Sequence, residues 1–309
     1  MMEKSKVSLF TLVVLSVVGL VFLMTNWVNA AVPADTVSYW KLDEATQTPP
    51  GEYTEEINAN DGACAAGGCP DNIAGQVDDA QDFDGIDGID VAAPAPGTDF
   101  NWAGDASFSI ALWMKRDDAG APLPDNEVII GRDDTNPAVA TLHWWVGLDS
   151  ATPVAGEGAA ATFVLSDSLA IAPGPGSAWG VVGTTDVADG GWHHIVAVRD
   201  DVNGELRLYV DRTLEGTKVV ANGAYGTGFN SATDLTMGYM LFGVADFFFE
   251  GAIDEVSLYD SAFTQDDVDD HYAAGFAGDG IDTLVPDPVP PTPTGGGGSG
   301  GCFINTAAE

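Results

Sequence analysis

The chain has 309 residues, 45% of them hydrophobic, which is enough for one large domain with tails or for two small domains. Its charge is lopsided: 10 Lys plus Arg stand against 47 Asp plus Glu, a formal net charge of -37. A chain this acidic repels phosphate backbones and anionic lipid surfaces, so nucleic acid is excluded as a partner and the mature domain is not expected to insert into membranes. The acid excess reads either as divalent-cation binding or, for most of these carboxylates, as a solvated surface.

The first thirty residues read as a signal peptide. Lys4 and Lys6 form a positive start, residues 7–24 are apolar, and Val28-Asn29-Ala30 offers small residues for cleavage after Ala30. The apolar run is also long enough to act as an uncleaved anchor. Either way the chain is expected to be exported, secreted or held at a bacterial surface. In an oxidising compartment Cys64 and Cys69, which bracket Ala65-Ala66-Gly67-Gly68, read as a loop-closing disulfide. The rival, a metal knuckle, lacks two further ligands. So short a loop removes little entropy on closing, so the bridge would pin a local conformation. Cys302 is left over in the tail.

Beyond the leader, residues 37–43 read as a first strand, followed by a long Gly-, Pro- and Asn-rich loop over 46–75. Residues 80–91 hold two short strands around Asp84-Gly85 and Asp87-Gly88. In 106–115, Phe108, Ile110, Leu112 and Met114 alternate with smaller or polar residues, as in a central strand. Strands follow over 127–132 and 141–148, with weaker ones at 162–165 and 179–182. Residues 191–211 form a predicted hairpin around Asn203-Gly204, the strongest short-range turn signal in the chain. Trp192, His194, Val196 and Val198 share one face of its first strand, opposite Ile195 and Ala197. Leu206, Leu208 and Val210 are expected on that same face, with Tyr209 on the opposite face beside Ile195 and Ala197. Neither side is cleanly polar, so part of the second face is expected to be covered. Further strands are predicted at 214–220, 234–238 and 252–259. Thr264 and Asp267 form a capping box for a short helix ending at Gly275.

About a dozen evenly spaced short strands argue for an all-β, two-sheet antiparallel jelly-roll sandwich with one short C-terminal helix. The domain spans 31–283, a Pro/Gly-rich linker 284–301, and a tail 302–309.

Several strings taken together resemble a known family. Tyr39-Trp40-Lys41-Leu42-Asp43-Glu44, Asn60-Asp61-Gly62, Asp82-Phe83-Asp84-Gly85 and Ser107-Phe108-Ser109-Ile110 occur in that order. Trp192-His193-His194, Leu208-Tyr209-Val210-Asp211 and Gly251-Ala252-Ile253-Asp254-Glu255-Val256 complete the series. From about residue 37 to 275 they resemble the LamG-like branch of the concanavalin A-like lectin/glucanase fold. Arg212 departs from the family's usual Gly, at a turn where Arg tolerates positive φ poorly. The resemblance implies an exported, non-catalytic module that binds a glycan or a surface protein, or that acts as a structural spacer. It also implies a structural calcium ion, held by Asp43, Asp84, the Gly85 region and Asp254. Calcium takes about six to eight oxygen ligands, so carboxylates and carbonyls suit it. The tail, Cys302-Phe303-Ile304-Asn305-Thr306-Ala307-Ala308 after a Gly run, resembles the bacterial CFI box, which implies processing or surface retention at Cys302.

Catalytic signals are missing from the sequence. Glucanases of this fold use a Glu-x-Asp-x-x-Glu string, which sets acid and nucleophile on one strand face, and the chain has none. A divergent glycoside hydrolase remains the alternative. His193 and His194 are adjacent on a strand and point to opposite faces, so they cannot share a metal. Sugar rings stack on exposed aromatic faces, which makes Trp102, Trp144, Trp145 and Trp179 candidates. Neighbouring Trp144 and Trp145 face opposite ways, so at most one is expected to be free of the core.

Overall fold

A computed structural model describes residues 32–95, 98–116, 123, 125–132, 143–154, 158–166, 180–220, 233–242 and 245–284. In chain order its strands are β1 (Thr36–Trp40), β2 (Gly62–Cys64), β3 (Asp71–Ala74), β4 (Asp79–Asp84), β5 (Ile89–Val91) and β6 (Phe108–Arg116). Next come β7 (Glu127–Arg132), β8 (His143–Val154), β9 (Gly158–Ser166), β10 (Gly180–Asp186), β11 (His193–Asp200) and β12 (Glu205–Val210). The last are β13 (Thr213–Val219), β14 (Leu235–Met237), β15 (Tyr239–Phe242), β16 (Ala245–Phe248) and β17 (Glu250–Tyr259), followed by helix α1 (Gln265–Ala277).

These strands make the expected sandwich. One sheet runs β13-β12-β11-β6-β17-β4-β3, with β1 also on β17; the other runs β10-β9-β8-β7-β14-β5-β2. Antiparallel pairing throughout suits strands that need only one buried face. The predicted alternation of β6 holds: Phe108, Ile110, Leu112 and Met114 enter the core between the sheets. Fully burying each such side chain stabilises the fold by roughly 1.5–3 kcal/mol. At one side the two sheets meet through Glu215 on β13, whose Oε2 accepts from the Thr184 and Thr185 amides of β10 at 2.7 and 3.1 Å. That carboxylate occupies donors that an edge strand otherwise leaves open. β2 and β3 lie within the stretch expected to be one long loop, and the β15–β16 hairpin was not foreseen.

The predicted hairpin is β11–β12, but its faces pair differently from the expectation. Register sets Ile195 opposite Val210, Ala197 opposite Leu208, and Val196 opposite Tyr209. Ile195 and Ala197 therefore join Leu206, Leu208 and Val210 in the core between the sheets. Val196, Val198 and Tyr209 form the outer face, covered by Phe263, Val268 and Ile281. Every residue of β11 is buried, so alternation along it carries no information about which side meets which.

Helix α1 starts as expected: Thr264 accepts from the Asp267 amide, and Asp267 accepts from the Thr264 amide. It runs past Gly275 and ends at Gly278, whose φ of 80° forms the left-handed cap. Gly275 instead allows close packing, because a Cβ there would lie 2.2 Å from Nε1 of Trp113. Gly275→Ala is expected to destabilise the domain by about 1–3 kcal/mol from overpacking. That outweighs the gain in helix propensity, at most about 1 kcal/mol. Urea denaturation of the variant checks it; an unchanged or raised midpoint would contradict the packing.

Candidate functional site

The clearest polar cluster arises from the pairing of β17. Along one edge, Glu250–Ile253 pair with β4, and Val256–Tyr259 pair with β1. Asp254 and Glu255 fall between these partners. On the other edge β6 pairs continuously, except for a one-residue bulge between Asp254 and Ser257. Glu255 takes φ 52° to make the bulge, and Leu42, just past β1, takes φ 62°. Bulges of this kind re-aim side chains and end pairing.

The loop before β4 fills the gap. Asp254 Oδ2 accepts from the Gln76 and Val77 amides at 2.8 and 2.9 Å. Gly75 approaches so closely that a Cβ there would lie 2.6 Å from the same oxygen. Glu255 Oε2 accepts from the Tyr39 hydroxyl at 2.6 Å, and Asp43 Oδ1 accepts from the Asp79 amide at 3.0 Å. Gln76 Nε2 donates to the Gly275 carbonyl at 2.9 Å, tying the loop to the helix. Lys41 forms an ion pair with Asp282 at 2.8 Å beside the cluster.

Burial dominates the electrostatics. Asp254 is 0% exposed, and burial lifts its pKa to about 8. The Val77 and Gln76 amides oppose that rise, and the Glu255 and Asp43 charges add to it. Burial likewise raises Glu255 to about 7, against the pull of the Tyr39 hydroxyl, and raises Asp43. The second oxygen of Asp254, Oδ1, is buried with no hydrogen-bond partner. A protonated carboxyl or a cation at that oxygen relieves the cost of a buried bare charge.

Comparison with known proteins fits the same architecture. A family model described as "Concanavalin A-like lectin/glucanases superfamily" matches residues 87–269, more than half the chain. The chain belongs to that superfamily. No curated protein matches it. Among solved structures it is similar to domain 4 of AbnA, a GH43 extracellular arabinanase from Geobacillus stearothermophilus, in complex with arabinotriose. That match has 17% identity and a TM-score of 0.50, and covers 76% of this chain and 96% of that one. It is similar to the binding domain of botulinum neurotoxin DC in complex with rat synaptotagmin II, at 12% identity and TM-score 0.50, covering 78% of this chain and 52% of that one. It is also similar to botulinum neurotoxin type C, described by its cell entry through two ganglioside molecules, at 12% identity and TM-score 0.52, covering 78% and 51%. The chain thus spans about half the length of the toxin structures, and identities this low establish shared fold alone.

This superfamily member places the predicted site residues unevenly. Asp43 and Asp254 come together, with Glu255 as a third carboxylate absent from the predicted set. Asp84 and Gly85 do not join them. Asp43 bonds the first residue of β4 and Asp84 is its last, roughly 16 Å further on at the usual strand rise. Asp84 instead accepts from the Ile86 amide within its own turn, at 3.1 Å. Among the described residues no group of three or more His, Cys, Asp or Glu side chains is arranged to hold a metal by itself. Cys64 and Cys69 form the expected disulfide, with Cα atoms 4.7 Å apart.

The tryptophan candidates need correction. Trp144 is 0% exposed in the core between the sheets. Trp145 is 3% exposed and packs with Met240 and Phe247 of the β15–β16 hairpin. Trp102 is buried and stacks on Phe108 at 4.2 Å. None of the three presents a ring face to a sugar. Trp179 and Cys302 lie outside the described residues. The histidines have packing partners: His193 bridges Asp211 at 2.8 Å and Asp189 at 3.1 Å. Burial pulls its pKa down, but the two carboxylates outweigh this and hold it above the ordinary value. His194 is pushed down to about 3 and His271 to about 4 by burial, so both are neutral where His194 of β11 faces His271 of helix α1, ring centroids 6.3 Å apart.

The raised carboxyl pKa values fix the direction of a pH effect. Asp254 and Glu255 titrate near ~4 in the unfolded chain. Their contribution to stability is therefore complete below that pH and is lost as pH rises through about 7 and 8. In chelator, melting is expected to fall by roughly 5–10 °C between pH 5 and 8.5. Asp254→Asn should flatten that slope. An equally steep slope in the variant would show that another group carries it.

Proposed function

We propose that the chain is an exported, non-catalytic module that holds a carbohydrate or a surface protein at the bacterial cell surface. One observation carries this reading: the fold matches 96% of an arabinanase domain whose structure holds arabinotriose. The toxin likenesses support the same class, since one is described with gangliosides and another with a protein receptor. The sequence lacks the glucanase carboxylate string, which weighs against hydrolysis. The Asp254–Glu255 pair does not offer a replacement, because both groups are buried under the loop before β4 and the Tyr39 hydroxyl. An acid and base for glycoside cleavage need to flank a bond in an open cleft.

Calcium enters the proposal through Asp43 and Asp254, the two expected ligands that lie together, without Asp84 and Gly85. The partnerless Asp254 Oδ1 supports it, with carbonyls and water supplying the remaining ligands. Export rests on the Lys4-to-Ala30 leader, and retention on the tail at Cys302.

A glycan array probed with the full chain tests the main proposal. Binding to a defined subset of glycans, with no new reducing ends released, is the expected result. Release of reducing ends from any glucan would move the chain to the hydrolases. Calcium is tested apart from this: at pH 8, added Ca²⁺ should raise the melting temperature, and Asp254→Asn should abolish the rise. No change in the wild type would remove calcium from the account.

A further inference from the structure

Helix α1 buries Val268, His271, Ala274 and Gly275 and leaves Phe276 69% exposed, the largest side chain it shows to solvent. Phe276 stacks on half-buried Tyr272, one turn earlier, with ring centroids 5.7 Å apart and planes 14° from parallel. Tyr272 is in turn fixed against Trp113 at 5.5 Å. The guanidinium of Arg212 lies over the Tyr272 ring, 5.3 Å from its centroid. The result is a ledge of one exposed ring, Phe276, continued by the half-buried Tyr272 ring with a planar cation over it.

The position of Arg212 comes at a cost. Asp211 and Arg212 form the two-residue turn between β12 and β13, with φ values of 46° and 60°. Such a turn favours Asn-Gly, and glycine at its second position would carry no steric penalty. The turn is nevertheless held firmly. Asp211 Oδ1 accepts from the His194 amide at 2.9 Å, and Gln265 Nε2 donates to the Arg212 carbonyl at 2.8 Å. Backbone strain held by its surroundings at an exposed side chain is a pointer to function. The buried or half-buried arginines 116, 199 and 207 each pair with a carboxylate. Exposed Arg212 has no carboxylate within ion-pair distance among the described residues, in a chain of net charge -37. Its donors are left for a ligand.

We propose that Phe276, Tyr272 and Arg212 form a binding ledge for a neutral sugar ring. This rests on the carbohydrate reading above and gives it a place and a ligand class. The C–H face of a sugar packs on an aromatic face. The Arg fork, placed over the Tyr272 ring, donates to two neighbouring hydroxyls. Asp269 stands one turn before Tyr272 on the same helix, and its Oδ1 accepts from Gln265 Nε2 at 3.0 Å. In a chain of net charge -37 this carboxylate accepts from a sugar hydroxyl and repels sugars that carry carboxylate or sulfate. With Trp144 buried between the sheets and Trp145 buried under the β15–β16 hairpin, this ledge is the aromatic surface among the described residues that is open to a ring.

The test uses the full chain as wild type, Arg212→Gly and Phe276→Ala on one array of neutral and acidic oligosaccharides that includes arabinotriose and sialyllactose. The wild type should bind at least one neutral oligosaccharide. Each variant should weaken that binding tenfold or more, and Arg212→Gly should melt no lower than the wild type because it relieves the turn. If Phe276→Ala loses its cooperative melt, Arg212→Gly alone decides. Neutral binding unchanged in Arg212→Gly would overturn the ledge while leaving the carbohydrate reading intact. Binding confined to acidic sugars would overturn the ligand class. No glycan bound by the wild type would overturn both readings.

Discussion

The junction on β17 is the constraint around which the rest of the domain is arranged. A strand that exchanges one partner for another leaves backbone amides and a bulge between them, and buried polar groups need partners. Asp254 answers this with two accepted hydrogen bonds from the loop before β4, and Glu255 with one from Tyr39. Through these contacts β1, β4, β17 and the loop between β3 and β4 become one unit. Gln76 extends the unit to helix α1. The same buried carboxyls are costly when charged, so the junction is also a place where pH acts on the fold.

The helix gives the second half of the design. Sheets with apolar residues on both faces need cover on both. The other sheet closes the inner face of β11 and β12, while Val268 and Phe263 close the outer face. The glycine at 275 lets the helix sit directly on Trp113. Once the helix is seated, its remaining surface holds Tyr272 and Phe276 outward beside the β12–β13 turn. The exposed aromatics are thus a consequence of how the helix is docked.

Much of the fold was legible in the sequence, and the misses have common causes. Period-two alternation marked β6, Asn203-Gly204 marked the β11–β12 turn, and Thr264 with Asp267 marked the start of α1. These signals are local. The faces of β11 were not legible, because all its residues are buried and only register tells the two sides apart. The helix end was misplaced because Gly275 answers to Trp113, a residue far away in sequence, while Gly278 makes the cap. Trp144 and Trp145 looked like binding groups by residue type, yet both sides of β8 are covered. Asp84 was grouped with Asp43 and Asp254 by resemblance, and strand length separates it from them. Glu255 and Tyr39 were visible as residues, but their meeting depends on a bulge that no local pattern announces.

The central claim is that burial at the β17 junction keeps Asp254 neutral near neutral pH. Carboxyl-carbon NMR on the selectively labelled full chain, titrated in chelator from pH 3 to 9, measures this directly. The account predicts a midpoint for Asp254 near 8. A midpoint near ~4, as for an exposed aspartate, would contradict it.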